Sequence, residues 1–114
     1  MAKVIAIDDD ELILAYYDAL FDDIKCFSAV ADAEEYLEFN QADVIILDFH
    51  MPDTKRKVPE IIDSLKSEAP ILICSGVEDA RVQEVCLKHG ATSFLFKNGD
   101  SVKLVKRVNA LAGD

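Results

Sequence analysis

Val44-Ile45-Ile46-Leu47 is a run of four aliphatic residues, three of them β-branched, that stops abruptly at Asp48. A short unbroken apolar run of this kind reads as a strand buried on both faces, the usual case in a parallel sheet. Pro52, four residues after Asp48, has no N–H to offer a ladder and closes the strand segment. Asp48 therefore belongs at the carboxyl end of a central strand, the edge where open α/β sheets place their ligands. One polar residue at a strand end is common, however, and by itself carries no function.

Four further runs repeat the pattern. Val4-Ile5-Ala6-Ile7 ends in Asp8-Asp9-Asp10-Glu11, and Lys25-Cys26-Phe27 is a short strand suited to a sheet edge. Ile71-Leu72-Ile73-Cys74 follows Pro70 and ends at Ser75-Gly76, and Phe94-Leu95-Phe96 ends at Lys97. Helical spacing fills the intervals. Leu12, Ile13, Tyr16, Ala19 and Leu20 predict the inner face of a first helix, and Tyr36 and Leu37 that of a second, opened by an Asp32/Glu35 capping box. Pro59 predicts a third helix running to about Glu68. Val82, Val85, Cys86 and Leu87 predict the inner face of a fourth, stopped by Gly90. Val102, Val105 and Val108, flanked by Leu104 and Leu111, predict that of a fifth. Strand and helix alternate five times, which predicts one α/β domain over residues 1–114. Its open parallel sheet should carry helices on both faces, joined by right-handed crossovers.

Composition narrows the function. A chain that is 51% hydrophobic with 4 Gly and 3 Pro is neither disordered nor fibrous. A net charge of −10 argues against direct nucleic-acid binding. No apolar run approaches the roughly 20 residues that span a bilayer. The N-terminus has no signal-peptide pattern, so a cytoplasmic location is expected. Cys26, Cys74 and Cys86 follow no CxxC or metal-finger spacing and read as small buried hydrophobes in a reducing compartment. Residues 1–54 hold 14 Asp and Glu against 2 Lys and Arg, whereas residues 55–114 hold 8 against 10. Much of that acidity is surface. Four acids in a row after the first strand, though, exceed what helix capping requires, and their mutual repulsion asks for a cation.

In a parallel sheet the carboxyl ends of the strands share one edge. Asp8-Asp9, Asp48, Ser75 and Lys97 should therefore converge there, giving a cation locus beside an anion locus. This ordered set resembles the receiver domain of response regulators, the phosphoacceptor module of two-component signalling. The resemblance extends from Val4 to about Leu111 and includes Met51-Pro52 after Asp48 and Gly76 after Ser75. It implies a flavodoxin-like doubly wound sheet of strand order 2-1-3-4-5. It also implies that Asp48 accepts a phosphoryl group from the phosphohistidine of a sensor kinase or a histidine phosphotransfer protein. Asp8, Asp9, Asp48 and the backbone carbonyl of His50 would hold Mg²⁺, while Ser75 and Lys97 would contact the phosphoryl oxygens. Ser75 and Phe94 would then switch a face presented to a downstream target or output domain. The implied state is a monomer, or a weak dimer through the last two helices and the fifth strand.

The chain departs from the family in places. Lys97 is followed by Asn98 where the family has proline, so a trans peptide is expected there. Thr54-Lys55-Arg56-Lys57 replaces a loop that usually contains glycine, and reads as a solvated basic loop or a partner contact. His50 and Val77 stand two residues past Asp48 and Ser75, where they would border the water path to a phosphoryl group. Two rival readings remain. One is a haloacid-dehalogenase-like phosphatase built on the Asp8-x-Asp10 pair. The other is a degenerate receiver that is never phosphorylated and serves as an interaction module.

Overall fold

The computed structural model describes residues 2–50, 57–65 and 67–113. Five strands and five helices alternate along them: β1 (Val4–Ile7), α1 (Glu11–Leu20), β2 (Ile24–Phe27), α2 (Val30–Phe39), β3 (Val44–Asp48), α3 (Val58–Ser64), β4 (Ile71–Ser75), α4 (Ala80–Lys88), β5 (Ser93–Phe96) and α5 (Ser101–Ala112). The strands form one parallel sheet in the order β2-β1-β3-β4-β5, as expected. β3 is central and wholly buried, and β2 and β5 are the edges. Pro52 and the Thr54, Lys55 and Arg56 part of the basic loop lie outside the described residues.

Successive residues of a strand point to opposite faces, and the core divides accordingly. Ile5, Ile7, Ile45, Leu47, Ile71 and Ile73 point toward α2, α3 and α4, where they meet Val30, Ala33, Leu37, Ile61, Ile62 and Cys86. Val4, Ala6, Val44, Ile46, Leu72, Cys74 and Leu95 point toward α1 and α5, where they meet Tyr17, Leu104 and Val108. Both faces are covered, which is why the inner strands carry apolar residues at every position rather than at alternate ones.

Several helix details differ from the sequence expectation. In α1 the buried residue is Tyr17, with Ile13 and Leu20 beside it, whereas Leu12 is 81% exposed and Tyr16 lies at the surface. In α4 only Cys86 is fully buried; Val82 packs against the core, but Val85 and Leu87 face outward. In α5 the inward stripe is Leu104, Val108 and Leu111, and Val102 is 63% exposed. The valines at 102, 105 and 108 keep an i, i+3, i+6 spacing that mimics a stripe. The true stripe follows i, i+4, i+7, the closer match to 3.6 residues per turn.

α2 begins at Val30 without a side-chain cap, two residues before the expected capping box. α3 ends at Ser64 rather than near Glu68. There the Leu65 N–H makes the last helical bond to the Ile61 carbonyl, and the Ser64 hydroxyl also donates to that carbonyl, the kind of local side-chain bond that disfavours continuing the helix. Gly90 follows the α4 cap with φ +112°, the left-handed conformation that suits glycine after a helix.

Candidate functional site

Strand register builds the site. Ile7 pairs with Leu47, so Asp8 comes level with Asp48, and Asp48 in turn pairs with Cys74 and Cys74 with Leu95. Alternation puts Asp8, Asp48, Cys74, Leu95 and Lys97 on the α1–α5 face of the sheet edge. Ser75 and Phe94 have the opposite parity and lie on the α3–α4 side. Lys97 directly follows the edge strand β5 and must reach across β4 to the acids at the ends of β1 and β3.

It makes that crossing. Lys97 Nζ is 2.7 Å from Asp48 Oδ1 and 2.9 Å from Asp8 Oδ2. Both carboxylates are buried, whereas the lysine side chain keeps a quarter of its surface. Asp8 Oδ1 also accepts the Asp10 N–H at 2.9 Å. Beneath them Tyr17 of α1 and Cys74 of β4 belong to one buried cluster and line the space beside Lys97.

The four consecutive acids have separate tasks. Asp8 is buried at the lysine, and Asp9 is accessible to solvent at the pocket mouth. Asp10 is the N-cap of α1, accepting the Leu12 N–H at 2.9 Å, and Glu11 occupies its first turn. The Asp8-x-Asp10 pairing that a phosphatase of the rival class would use is therefore split, because Asp10 is exposed and engaged in capping. An Asp directly ahead of a helical run is the signal that could have assigned this cap from sequence.

Burial is the largest influence on Asp48 and pushes its carboxyl above the ordinary value, although the Lys97 hydrogen bond and charge pull it down. The nearby Asp8 adds to the rise, and the His50 N–H opposes it. Burial also works against the Lys97 ammonium, but its hydrogen bonds to Asp48 and Asp8 and their charges outweigh it and raise its pKa. The Cys74 thiol is pushed up to about 11 by burial, so it stays protonated and unreactive.

One oxygen from each of Asp8, Asp9 and Asp48 lies within 4.8 Å of the others. Three carboxylates against the single Lys97 ammonium leave a formal charge of −2. Clustered hard oxygen donors with that residual charge fit a small divalent cation.

The structure thus brings Asp8, Asp9, Asp48 and Lys97 together. Ser75 reaches the same edge, but its buried hydroxyl is engaged with its own loop, accepting the Val77 N–H at 3.0 Å and donating to the Val77 carbonyl at 3.1 Å. Phe94 is half-buried against the core on the α3–α4 side, and its carbonyl accepts from Arg107 at 3.3 Å. His50 is exposed. The Lys97–Asn98 peptide is trans, as expected, since no cis bond occurs among the described residues. Sequence reasoning missed Tyr17, because the helical spacing made Tyr16 the inward tyrosine of α1.

The sequence model of the response regulator receiver domain matches residues 4–109. Among solved structures, the receiver domain of Francisella response regulator 1452 is 25% identical, with a TM-score of 0.87 over 99% of this chain and 98% of that one. A two-component response regulator from Clostridium difficile is 17% identical with a TM-score of 0.88, covering 97% and 95% of the two chains. A response regulator protein from Burkholderia pseudomallei, solved with a phosphorylated aspartic acid, a calcium ion and citrate, is 16% identical. Its TM-score is 0.77, over 99% of this chain and 69% of that one. The last two likenesses are likenesses of fold. No individually curated protein matches the sequence.

Proposed function

The chain belongs to the response regulator receiver domain family, and from that membership and the acid–lysine pocket we propose that it accepts a phosphoryl group on Asp48 from a phosphohistidine. The observation that carries this is Lys97 bridging Asp8 and Asp48 at 2.9 and 2.7 Å in a pocket with a residual charge of −2. A carboxylate suits the task because it is ionised at neutral pH and needs no general base. A carboxylate oxygen of Asp48 attacks phosphorus, the P–N bond breaks, and its electron pair goes to the imidazole nitrogen. The product is an aspartyl phosphate. In the Burkholderia pseudomallei protein of the same fold an aspartic acid is phosphorylated and a calcium ion is present.

Asp8, Asp9, Asp48 and the His50 carbonyl would hold Mg²⁺, which when bound supplies neutralisation of phosphoryl charge. The remaining work belongs to the side chains. Lys97 holds Asp48 ready and follows the new negative charge onto a phosphoryl oxygen, giving up its bond to the carboxylate. Phosphoryl transfer of this type depends on positioning and charge, and the pocket offers both. Ser75 can donate to a phosphoryl oxygen only by releasing the Val77 carbonyl, which moves the loop that opens α4. Phe94, packed on that same side, is placed to move with it. The face of α4, β5 and α5 then favours a different partner, an output domain or a downstream protein.

The test is labelling of the full chain by a small phosphodonor with Mg²⁺. Wild type takes up label and Asp48→Asn takes up none; label retained by Asp48→Asn would point to another acceptor and sink the reading. Turnover by Asp48→Asn would favour the phosphatase. Uptake by wild type also separates a working receiver from a degenerate one.

A further inference from the structure

Because Lys97 reaches its partners across β4, a small change in the direction of its Cα–Cβ bond becomes a large displacement at Nζ. Its backbone is held on two sides. On the strand side the Lys97 N–H donates to the Ser75 carbonyl at 2.6 Å. On the other side three residues carry the chain into α5. Asn98 Oδ1 accepts the Asp100 N–H at 2.9 Å, and Gly99 adopts φ +79°. Asp100 then caps α5 by accepting the Lys103 N–H at 3.0 Å.

Within this link Gly99 has the widest backbone freedom of any residue type. The side chain of Asn98 closes the turn across it. Asn98 is exposed and its hydrogen bond runs to Asp100, so it contributes to neither the core nor the acid pocket directly.

We propose that Asn98 is the positioning residue of Lys97: by closing the turn onto Asp100, its amide oxygen fixes the backbone that aims the ammonium between Asp8 and Asp48. An alanine at 98 leaves the Gly99 peptide planes free to rotate, and the ammonium loses its fixed bridging position. Misplacement by about 1 Å costs on the order of 100-fold in well-oriented reactions. Partial misplacement should therefore slow phosphoryl uptake by roughly tenfold. Asp can close the same turn and Ser does so more weakly, so the order of rates should be Asn, Asp, Ser, Ala. The rate arm rests on the phosphoacceptor reading; the structural arm does not.

Two measurements on the full chain test it. In metal-free protein carrying ¹³C-labelled lysine, the ε-methylene of Lys97 should stand apart from the surface lysines. Asn98→Ala should collapse it toward them, and Asn98→Asp should restore it. In phosphoramidate labelling with Mg²⁺, Asn98→Ala should be slow at unchanged thermal stability and unchanged Mg²⁺ affinity. Its effect should vanish in a Lys97→Met background, as expected of a residue that acts through Lys97. An unshifted Lys97 signal in Asn98→Ala overturns the proposal, and so does an equal rate loss with and without Lys97. Wild type that takes no label fails the phosphoacceptor reading alone, and the lysine signal then decides the proposal.

Discussion

Asp8 and Asp48 share one ammonium, and each would be a costly buried charge without it. At Asp48 burial still outweighs Lys97 and leaves the carboxyl's pKa above its ordinary value. The sign follows from linkage. A carboxyl whose folded pKa exceeds its unfolded value stabilises the fold below that unfolded value and loses the contribution as pH rises through the folded one. Lys97, also raised, contributes stability below its ordinary range and loses it only in strong alkali. In metal-free buffer, Asp48→Asn should therefore raise the Tm at pH 7. The gain should shrink toward pH 3, where the wild-type carboxyl is itself neutral. Each 1 kcal/mol of relief is worth about 4 °C in a domain of this size. Thermal melts of both proteins across that range read the outcome directly, and a gain that grew on acidification would contradict the sign. Cys74 also has a spatial duty in this arrangement, since it lies level with Asp48 on the strand that Lys97 crosses.

At the scale of elements, the sheet was legible because strand ends are marked by chemistry. Ile7 before Asp8, Leu47 before Asp48 and Phe96 before Lys97 are each an apolar-to-charged step, and each strand stops within one residue of it. The pocket was legible for the same reason, since parallel strands bring such steps to one edge. Helix phase was harder to read. Leu104 and Val108 are buried and Val102 is exposed, although all three are aliphatic and two overlapping spacings, 102-105-108 and 104-108-111, both run through Val108. The Ser75–Val77 bonds were not legible either, because a hydroxyl's partner depends on the path of the loop. Leu104→Ala should cost about 2–4 kcal/mol through lost burial and a cavity. Val102→Ala should stay within about 0.5 kcal/mol, as exposed sites usually do. Chemical denaturation of the two variants separates them; comparable losses would restore the valine stripe as the inner face.

For the whole molecule, charge is the governing quantity. The net is −10, and the acidic first half supplies both β1 and β3, the strands that carry the pocket. A ligand that binds only the folded state stabilises it by mass action, about 2.7 kcal/mol at 100 times its dissociation constant. Mg²⁺ should therefore raise the Tm by roughly 10 °C near saturation. NaCl at equal ionic strength should do less, because it screens surface charge without occupying the pocket. Asp9→Asn should remove most of the difference, since Asp9 is the solvent-accessible member of the acid cluster. Equal shifts from the two salts would mean that the acids act only as diffuse surface charge.

The order of Asp8, Asp48 and Lys97 along the chain has a consequence for how the protein is made. Synthesis runs from the N-terminus, so Asp8, Asp9 and Asp48 leave the ribosome well before Lys97, the one cation among the described residues that bridges Asp8 and Asp48. Until β5 docks, β1 and β3 must come together while their acids repel one another. A divalent ion is the natural stand-in during that interval, so refolding from denaturant should speed up in Mg²⁺. An ion that fits the folded acid pocket would then act first as an aid to its assembly.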